Sequence, residues 1–292
     1  MDLPKAAQIA ARSPTGSSED EYGFTGCSPE WLERLVRVLT WNLWWRFGPD
    51  WQKRQPYIRD TLREVEPDIA ALQEVWGADG TSQAHELADA LGYHAAYAEP
   101  SLPPAPHTPE HEGVEVGLGL VSRWPVLASE AVRMPARFRV PPVALEATVD
   151  HPDGPLHVIV ACLEWEPVFA ADRHAQAHAL AKLAADPARD GALPVVVAGD
   201  LNAAPDSAVL RPLTRAGLVD AWSAAAGDPH AVTLSSKHPH APLEADELID
   251  KRIDHVFVRP GQAGQRVECA GATLAGGYEA SDHHAVVCDI TW

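Results

Sequence analysis

The chain has 292 residues, 46% of them hydrophobic, and a formal net charge of −18 at pH 7. This length suits a single layered α/β domain with a large core. The acidic excess argues against strong, non-specific attraction to duplex DNA, because that affinity depends on lysine and arginine neutralising phosphates. The four cysteines show neither the C-x-x-C spacing of a zinc site nor a dense disulfide framework, so a reducing compartment fits best.

Residues 1–30 are small, polar and aperiodic, and we predict that they form a disordered N-terminal tail before a folded domain at residues 31–292. The tail lacks the basic start and apolar core of a signal peptide. No later stretch approaches the ~20 apolar residues that span a bilayer. We therefore expect a cytoplasmic protein with no transmembrane segment. No pattern in the sequence indicates an oligomeric state.

In chain order, the first elements alternate between strands and a helix. Leu35–Asn42 alternates apolar and polar residues as a strand does, and it ends on Asn42. Trp51–Val65 has apolar residues at helical spacing and Arg54 among its polar positions, which predicts a surface helix. Asp68–Glu74 is a second apolar run, and it ends in a carboxylate.

The middle of the chain is predicted to contain antiparallel hairpins. A helix around Ser82–Leu91 precedes the proline-rich segment Ser101–Pro109, which indicates an irregular loop. Four segments of strand length and β-branched content follow: Gly113–Ser122, Val126–Val132, Leu145–Val149 and Leu156–Leu163.

After a predicted helix at Phe169–Ala185, the apolar run Val195–Gly199 indicates a strand covered on both faces. It delivers Asp200 and Asn202 to the same side of the chain, which suits a bound water or metal ion. The alternative is an Asx-type turn that only reverses the chain. The remaining elements are a short helix at Ala208–Ala216, a loop at Ala231–Glu247, and strands at Ile253–Val258, Gln265–Leu274 and Val286–Ile290.

Polar side chains recur at or near the strand ends: Asn42, Glu74, Asp200, Asn202, Asp254, Asp282 and His283. Each alone has an ordinary explanation, such as a surface carboxylate, an ion pair or a turn histidine. Together they repeat one pattern, an apolar run ending in an amide or a carboxylate, which turn chemistry does not explain. Ligands bind beyond the strand ends of α/β sheets, so we expect these side chains to converge there.

Seven short motifs, in order and spacing, resemble the endonuclease/exonuclease/phosphatase superfamily of deoxyribonuclease-like phosphoesterases from Val36 to Trp292. The motifs are Thr40-Trp-Asn42, Leu72-Gln-Glu74, the segment 117–125, Arg173-x-x-Gln176, Gly199-Asp-Leu-Asn202, Arg252-Ile-Asp254 and Ser281-Asp-His283. The resemblance implies a four-layered α/β sandwich, in which two mixed β-sheets pack face to face with helices on the outside. It places the functional site at one end of the sheets.

The resemblance implies metal-assisted hydrolysis of a phosphoester. Glu74 resembles the principal metal-binding carboxylate, with Asn42 beside it and Asp282 on the other side. Hard oxygen ligands of this kind favour Mg²⁺ or Mn²⁺. Three classes of substrate remain open: a nucleic acid, a nucleotide or a phosphorylated lipid headgroup.

The resemblance also assigns the catalytic roles. Asp200 resembles the residue that orients and deprotonates the attacking water, and Asn202 would donate to the phosphate or to that water. His283 resembles the histidine that donates to the phosphate in the transition state. Asp254 resembles the carboxylate that fixes its tautomer and favours its charged form.

One position departs from the family pattern. Relatives place a histidine where this chain has Cys162, and a thiol is a weak hydrogen-bond donor. This substitution predicts weaker stabilisation of the transition state unless another group compensates. It also motivates the alternative function, a catalytically weakened phosphate-binding module of the same fold.

Several residues beside the motifs have a supporting interpretation. Adjacent side chains of a strand point oppositely, so His255 and His284 are predicted to be structural. For Arg173 and Gln176, packing and a hydrogen bond to a motif loop are favoured over substrate contact. Three loop arginines are predicted to be solvated, with a phosphate-facing rim as the alternative: Arg133, Arg137 and Arg139. Three tryptophans that follow motif positions are candidates for an apolar wall: Trp44, Trp76 and Trp165.

Overall fold

Two mixed β-sheets form the centre of the protein in the computed structural model, which describes residues 35–292. The predicted tail at residues 1–30 lies outside the described residues. The strands are β1 (Val36–Asn42), β2 (Ile69–Ala78), β3 (Thr81–Ser82), β4 (His94–Ala98), β5 (Glu115–Ser122), β6 (Val126–Arg133), β7 (Val143–His151), β8 (Gly154–Cys162), β9 (Val195–Asp200), β10 (Val219–Asp220), β11 (Asp254–Arg259), β12 (Glu268–Ala275) and β13 (Ala285–Thr291). The α-helices are α1 (Trp51–Val65), α2 (Gln83–Leu91), α3 (Ala170–Ala184), α4 (Arg211–Arg215) and α5 (Ala221–Ala224).

The first sheet has the strand order β12-β13-β1-β2-β5-β4, with β3 paired to β2, and the second has the order β10-β11-β9-β8-β7-β6. Each sheet contains one parallel pair, β1 with β2 and β8 with β9. The strands β6, β7 and β8 form the antiparallel hairpins predicted for the middle of the chain. The two mixed sheets with their helices confirm the predicted α/β sandwich.

Three apolar clusters separate the four layers. Val38 of β1 and Val196 of β9 belong to the cluster between the two sheets. Val197, the next residue of β9, packs with Leu180 of α3 on the outer face of the second sheet. Ile58 of α1 packs on the outer face of the first sheet. The continuous apolar run of β9 therefore reflects burial on both of its faces, as predicted.

The helix α1 has the predicted bounds, but the prediction that Arg54 lies on a polar surface is wrong. Arg54 is buried, and its guanidinium donates hydrogen bonds to four main-chain carbonyls of the loop that joins β1 to α1. These carbonyls belong to Leu43, Trp44, Trp45 and Phe47. The helical periodicity could not predict this role, because it reports only which face of the helix is apolar. The buried carbonyls of the loop need a hydrogen-bond donor, and Arg54 supplies it.

Strand direction corrects the expectation that each motif ends an apolar run. Asp254 begins β11, and Asp282 and His283 precede β13. Because β11 runs antiparallel to β9, Asp254 pairs directly with Asp200. The strand β13 likewise runs antiparallel to β1. The starts of these two strands therefore lie at the same edge as the ends of β1 and β9.

Among the helices of residues 35–292, none is long and apolar enough to cross a membrane.

Candidate active site

Asp200 is the last residue of β9, and the turn after it holds the carboxylate in place. Its Oδ1 accepts a hydrogen bond from the main-chain N–H of Asn202 at 3.0 Å. Asn202, with φ of 46°, donates from Nδ2 to the carbonyl of Leu163 at 2.9 Å. Gly199 precedes this pair because a Cβ there would clash with the carbonyl oxygen of Ala161 on β8. The Asx turn and the candidate site thus coexist, and Asp200 Oδ2 points away from the turn.

Asn42 joins carboxylates of the two sheets. Its Nδ2 donates to Oε1 of Glu74 at 2.8 Å and to Oδ2 of Asp200 at 3.1 Å, while its Oδ1 accepts from the N–H of Trp44. Glu74 lies where the pairing of β2 with β5 shifts register, and its φ is 51°. Such a bulge re-aims a side chain that regular pleating would direct elsewhere. The local irregularity of β2 therefore directs Glu74 toward β9.

The carboxylates at this edge disfavour each other's charge. Burial and the charge of Asp282 raise the pKa of Glu74 to about 8, and burial and the charge of Asp254 raise the pKa of Asp200 to about 7. Burial also raises the pKa of Asp282. Within residues 35–292, Oε2 of Glu74 is buried and has no hydrogen-bond partner. Hard oxygen donors crowded in this way fit a divalent cation, which would neutralise their charge.

His283 and Asp254 form a buried pair. Nδ1 of His283 lies 2.8 Å from Oδ2 of Asp254. Burial alone would lower the pKa of His283, but the charges of Asp254, Asp282 and Asp200 outweigh it and raise that pKa well above its ordinary value. The raised pKa favours the charged imidazolium, which carries an N–H at both nitrogens. Its Nε2 lies 4.0 Å from Oδ2 of Asp200, too far for a direct hydrogen bond.

In the described part of the chain, one group of three side chains has metal-ligand spacing: Asp200, Asp254 and His283, with ligand atoms within 4.8 Å of one another. A charged imidazole has no lone pair for a metal, and Asp254 already accepts its Nδ1 hydrogen. Within residues 35–292, Oδ1 of Asp254 and Oε2 of Glu74 are both buried without a partner, but the other oxygen of Asp254 is engaged by the imidazole. Glu74 and the neighbouring Asp282 are therefore the better fit to a cation.

A cavity of about 300 Å³ lies against these groups. Its floor includes Glu74, Asp200, Asn202, Asp282 and His283. Its wall is mostly apolar and contains Trp44, Phe47, Pro103, Trp165, Leu234, Pro242, Ala245 and Leu248. A larger cavity of about 860 Å³ lies along the loop from Glu99 to Val116, but no motif residue lines it. The smaller cavity is therefore the candidate active site.

The cavity tests the predictions for the tryptophans. Trp44 and Trp165 line it, as predicted. Trp76 does not: its ring lies 6.4 Å from that of Trp51, in an apolar cluster with Trp45. The prediction is wrong for Trp76 because two residues after Glu74, beyond the bulge of β2, the side chain points to a different part of the fold.

Cys162 also lines the cavity, and it pairs in register with Asp200. Its Sγ lies 3.7 Å from the carbonyl oxygen of Leu102. Burial raises the pKa of the Cys162 thiol well above its ordinary range, so the group is neutral. Cys162 therefore brings no charge to the floor.

Arg173 and Gln176 of α3 support the motif loops from behind. Arg173 donates to the carbonyl of Asn202 at 3.1 Å, and Gln176 accepts from the N–H of Glu164 at 2.9 Å. Both side chains are buried, and neither lines the cavity. This geometry agrees with the packing interpretation favoured for them.

Two neighbouring histidines make structural contacts, as predicted. His255 is buried and lies 2.8 Å from both the carbonyl oxygen of Ala203 and a guanidinium nitrogen of Arg252. Burial and the Arg252 charge lower the pKa of His255 to about 4, which keeps it neutral. His284 contacts the carbonyl oxygen of Gly276.

The loop arginines do not form a rim of the cavity. Arg137 pairs with Asp172 and Arg139 with Glu166, at 2.9 and 2.7 Å. Arg133 is exposed, and none of the three lines the cavity. The phosphate-facing alternative is therefore wrong.

His240 is not among the site residues predicted from the sequence, but its exposed side chain lines the cavity from the loop before β11. Its main-chain N–H donates to Nδ1 of the buried His238 at 3.2 Å. The ring of His238 packs edge-on to Trp44 at 5.1 Å. The only signal in the sequence was the pair of histidines around Pro239, which had no strand context.

The family model described as Endonuclease/Exonuclease/phosphatase family matches residues 39–283. The chain therefore belongs to this family, and membership supports hydrolysis of phosphoesters. A search of curated proteins finds no match to this chain.

Three solved structures illustrate the similarity of fold. An endonuclease/exonuclease/phosphatase from Beutenbergia cavernae DSM 12333 is 24% identical with a TM-score of 0.67, over 88% of this chain and 72% of that one. D. rerio TDP2 complexed with single strand DNA product is 19% identical with a TM-score of 0.68, over 88% and 99%. The human Nocturnin catalytic domain with bound sulfate anion is 21% identical with a TM-score of 0.64, over 89% and 94%. At these identities the likeness shows the shared fold.

Proposed function

We propose that the protein is a divalent-metal-dependent phosphoester hydrolase in which Asp200 activates water and the His283–Asp254 pair stabilises the phosphoryl transition state. The observation that carries this proposal is the 4.0 Å separation of Asp200 Oδ2 from His283 Nε2 beside the cavity. A proton acceptor and a charged donor face each other there, and an oxygen atom between them would contact both.

Glu74 and Asp282 would hold the cation, Mg²⁺ or Mn²⁺, with Asn42 positioning Glu74 through its amide N–H. When bound, the ion would neutralise a phosphoryl oxygen and the charge that develops on the leaving group. The unpaired Oε2 of Glu74 supports this assignment. The sequence also predicts Asn42 as a ligand. Only its amide oxygen could bind a cation, and this oxygen accepts a hydrogen bond from the N–H of Trp44.

Asp200 accepts the proton of the attacking water. Its Oδ1 is held in the turn by the N–H of Asn202, whereas Oδ2 accepts one hydrogen bond from Asn42 and keeps a second lone pair on the side of His283, so Oδ2 is the basic atom. The raised pKa suits this role, because a base works best when its pKa lies near the operating pH. Asn202 uses one N–H for Leu163, and its second N–H is the one to donate to the phosphate or to the water.

His283 donates its Nε2–H to a phosphoryl oxygen as negative charge develops there. Asp254 holds the opposite nitrogen and stabilises the charged imidazolium. Arg173 fixes the main chain of Asn202 and touches neither the water nor the phosphate. These roles use only side chains that the two sheets bring to one edge.

The substrate classes are a nucleic acid end, a nucleotide or a phosphorylated lipid headgroup. The structure of D. rerio TDP2 with a single strand DNA product supports the first. The net charge of −18 weakens the case for a long polynucleotide, whose phosphates would be repelled along the surface.

The test is a substrate panel assayed with Mg²⁺ or with a chelator. It covers single-stranded, double-stranded and abasic DNA, RNA, phosphoinositides, sphingomyelin and a bis-aryl phosphodiester. We expect at least one substrate to turn over with Mg²⁺ alone, and Asp200→Asn to lower kcat about 10²- to 10⁴-fold. The matched control is Asp206→Asn, at an exposed aspartate of the same loop. Phosphate binding without metal-dependent and Asp200-dependent turnover would instead support the weakened phosphate-binding module.

A further inference from the structure

Within residues 35–292, the basic side chains of the cavity lining are those of His283, which the proposed function assigns to the reacting phosphate, and of the exposed His240. Of the lysines and arginines between residues 35 and 292, none lines the cavity. Two buried arginines behind the walls already have hydrogen-bond partners within the protein. Arg54 donates to main-chain carbonyls, and Arg173 donates to Asn202 and pairs with Glu247 at 3.3 Å. A phosphate other than the reacting one would therefore enter without a lysine or arginine partner.

The floor makes further negative charge unfavourable. Glu74, Asp200 and Asp282 are acidic, and Asp254 lies directly behind His283. In a buried site, like charges repel one another strongly because water screens them little, so each additional anion raises the free energy of the complex. The floor accepts a phosphodiester, with one charge, more readily than a phosphomonoester dianion.

The wall favours an uncharged group. Its aromatic members are Trp44, Phe47 and Trp165, which approach from two different loops. Leu234 and Leu248 add aliphatic surface from the segment before β11. A volume of about 300 Å³ is at the small end of ligand sites, which is enough for one ring and its ester linkage. Burial of an apolar ring against these side chains supplies affinity that charges here do not.

We propose that the substrate is a small phosphodiester whose only charged group is the reacting phosphate, and that an apolar group of about ring size, esterified to this phosphate, occupies the cavity. This inference rests on the proposed function and narrows it. Long polynucleotides and molecules with several phosphates are excluded as preferred substrates.

The test compares two methyl aryl phosphodiesters whose phenols are matched in acidity, one with an uncharged ring and one with a ring sulfonate. Matching removes the intrinsic difference in leaving-group chemistry, so the kcat/KM ratio reports the cavity. With Mg²⁺ and the full chain, we expect the uncharged ester to be preferred by about tenfold or more.

Two variants place a positive charge in the wall, Trp165→Arg and Phe47→Arg. Both residues are half-buried, so a long side chain can extend along the cavity mouth. We expect each variant to reduce the preference at least about threefold by raising kcat/KM for the sulfonated ester. The matched control, Leu127→Arg, changes an exposed leucine of β6 that does not line the cavity, and it should leave the ratio unchanged.

The outcomes separate this inference from the function on which it rests. Asp200-dependent turnover with equal or reversed preference would overturn the inference and leave the proposed function standing. An unchanged ratio in both arginine variants, with turnover intact, would overturn the placement of the apolar group in this cavity. No Asp200-dependent turnover of either ester, while a member of the substrate panel does turn over, would overturn the inference alone; no Asp200-dependent turnover of any panel member would overturn the proposed function and the inference with it.

Discussion

The floor and the wall of the cavity are built from different parts of the fold. The floor comes from the ends of strands in both sheets, joined by buried hydrogen bonds such as those of Asn42 and of His283. The wall comes from connecting segments: Trp44 and Phe47 follow β1, Trp165 follows β8, and Leu248 precedes β11. Strand ends are held by the sheets, whereas loops vary without disturbing them. In the proposed function, the floor therefore carries out the reaction, and the wall selects the substrate.

The strongest test of the floor is Asp254→Asn. The asparagine keeps the shape of the side chain but removes the charge that favours the His283 imidazolium. We expect kcat to fall by about 10²- to 10⁴-fold. Because the pKa of His283 also falls, activity should decline at a lower pH on the alkaline side than in the parent protein.

The measurement is a pH profile of kcat for a chromogenic phosphodiester, together with a thermal melt. Asp206→Asn, at an exposed aspartate, controls for the loss of one charge. A loss of less than tenfold, or an alkaline limb that does not move, would contradict the role given to Asp254.

A second test concerns the connection between floor and wall. Arg54 is buried and holds the loop that carries Trp44 and Phe47, and burial lowers its pKa to about 10. Arg54→Met fills similar volume but removes the guanidinium donor from four carbonyls, of which that of Trp44 keeps a hydrogen bond from the N–H of Phe47. We expect a loss of roughly 2–4 kcal/mol in the free energy of unfolding. Chemical denaturation measures it.

The matched control is Arg63→Met on the same helix, where an exposed arginine pairs with Asp60 at 3.5 Å. Surface pairs of this kind contribute little, so we expect a change within about 0.5 kcal/mol. Equal stability of the two variants would show that the carbonyls of the loop do not depend on Arg54.

The sequence predicted the floor well because strand ends leave a readable pattern. Val195–Gly199 is apolar throughout and stops at Asp200, and Asn42 ends an alternating segment in the same way. The direction of each strand within its sheet could not be predicted from the sequence in the same way. Asp254 begins its strand, and only the antiparallel pairing of β11 with β9 shows that it meets Asp200. Pairing between distant segments is a tertiary property, which no local period encodes.

The wall was predicted only in part, for a physical reason. Its members are set by how loops cross the sheet edge, so adjacency to a motif identified Trp44 and Trp165 but misplaced Trp76. His240 was not predicted because its main chain is held by a hydrogen bond to the buried ring of His238, a contact that no sequence pattern encodes. The same limit applied to Arg54, whose partners are main-chain atoms of a loop and not side chains with a recognisable spacing.

A smaller effect is expected at Cys162, where floor and wall meet. The thiol is neutral and lies beside open cavity volume, so an imidazole has room to enter and is a better donor. We expect Cys162→His to keep or raise kcat, by up to roughly tenfold. The control Cys162→Ser keeps a small hydroxyl in place of the thiol. A large loss of kcat in both variants would show that the thiol has a positive role.

The smallest expected effect is at Glu164, between Leu163, whose carbonyl accepts a hydrogen bond from Asn202 of the floor, and Trp165 of the wall. The side chain has no exposed surface, and burial raises its pKa to about 7 although Arg139 lies 3.3 Å away. The folded state thus binds a proton that the unfolded chain, with an ordinary pKa near 4.5, releases. The stabilising contribution of this proton is complete below about pH 4.5 and is lost as pH rises toward 7.

Glu164→Gln cannot ionise, so its Tm relative to the parent protein should rise between pH 5 and 8, by on the order of 2–5 °C. Scanning calorimetry across this range measures the difference. The matched control is Glu166→Gln, which removes the other carboxylate partner of Arg139 from a half-buried position. A Tm difference for Glu164→Gln that stays constant with pH would mean that Glu164 remains ionised throughout. The segment after β8 would then hold one more buried negative charge beside the cavity. This charge would make the binding of an anionic group in the cavity still less favourable than the apolar wall alone does.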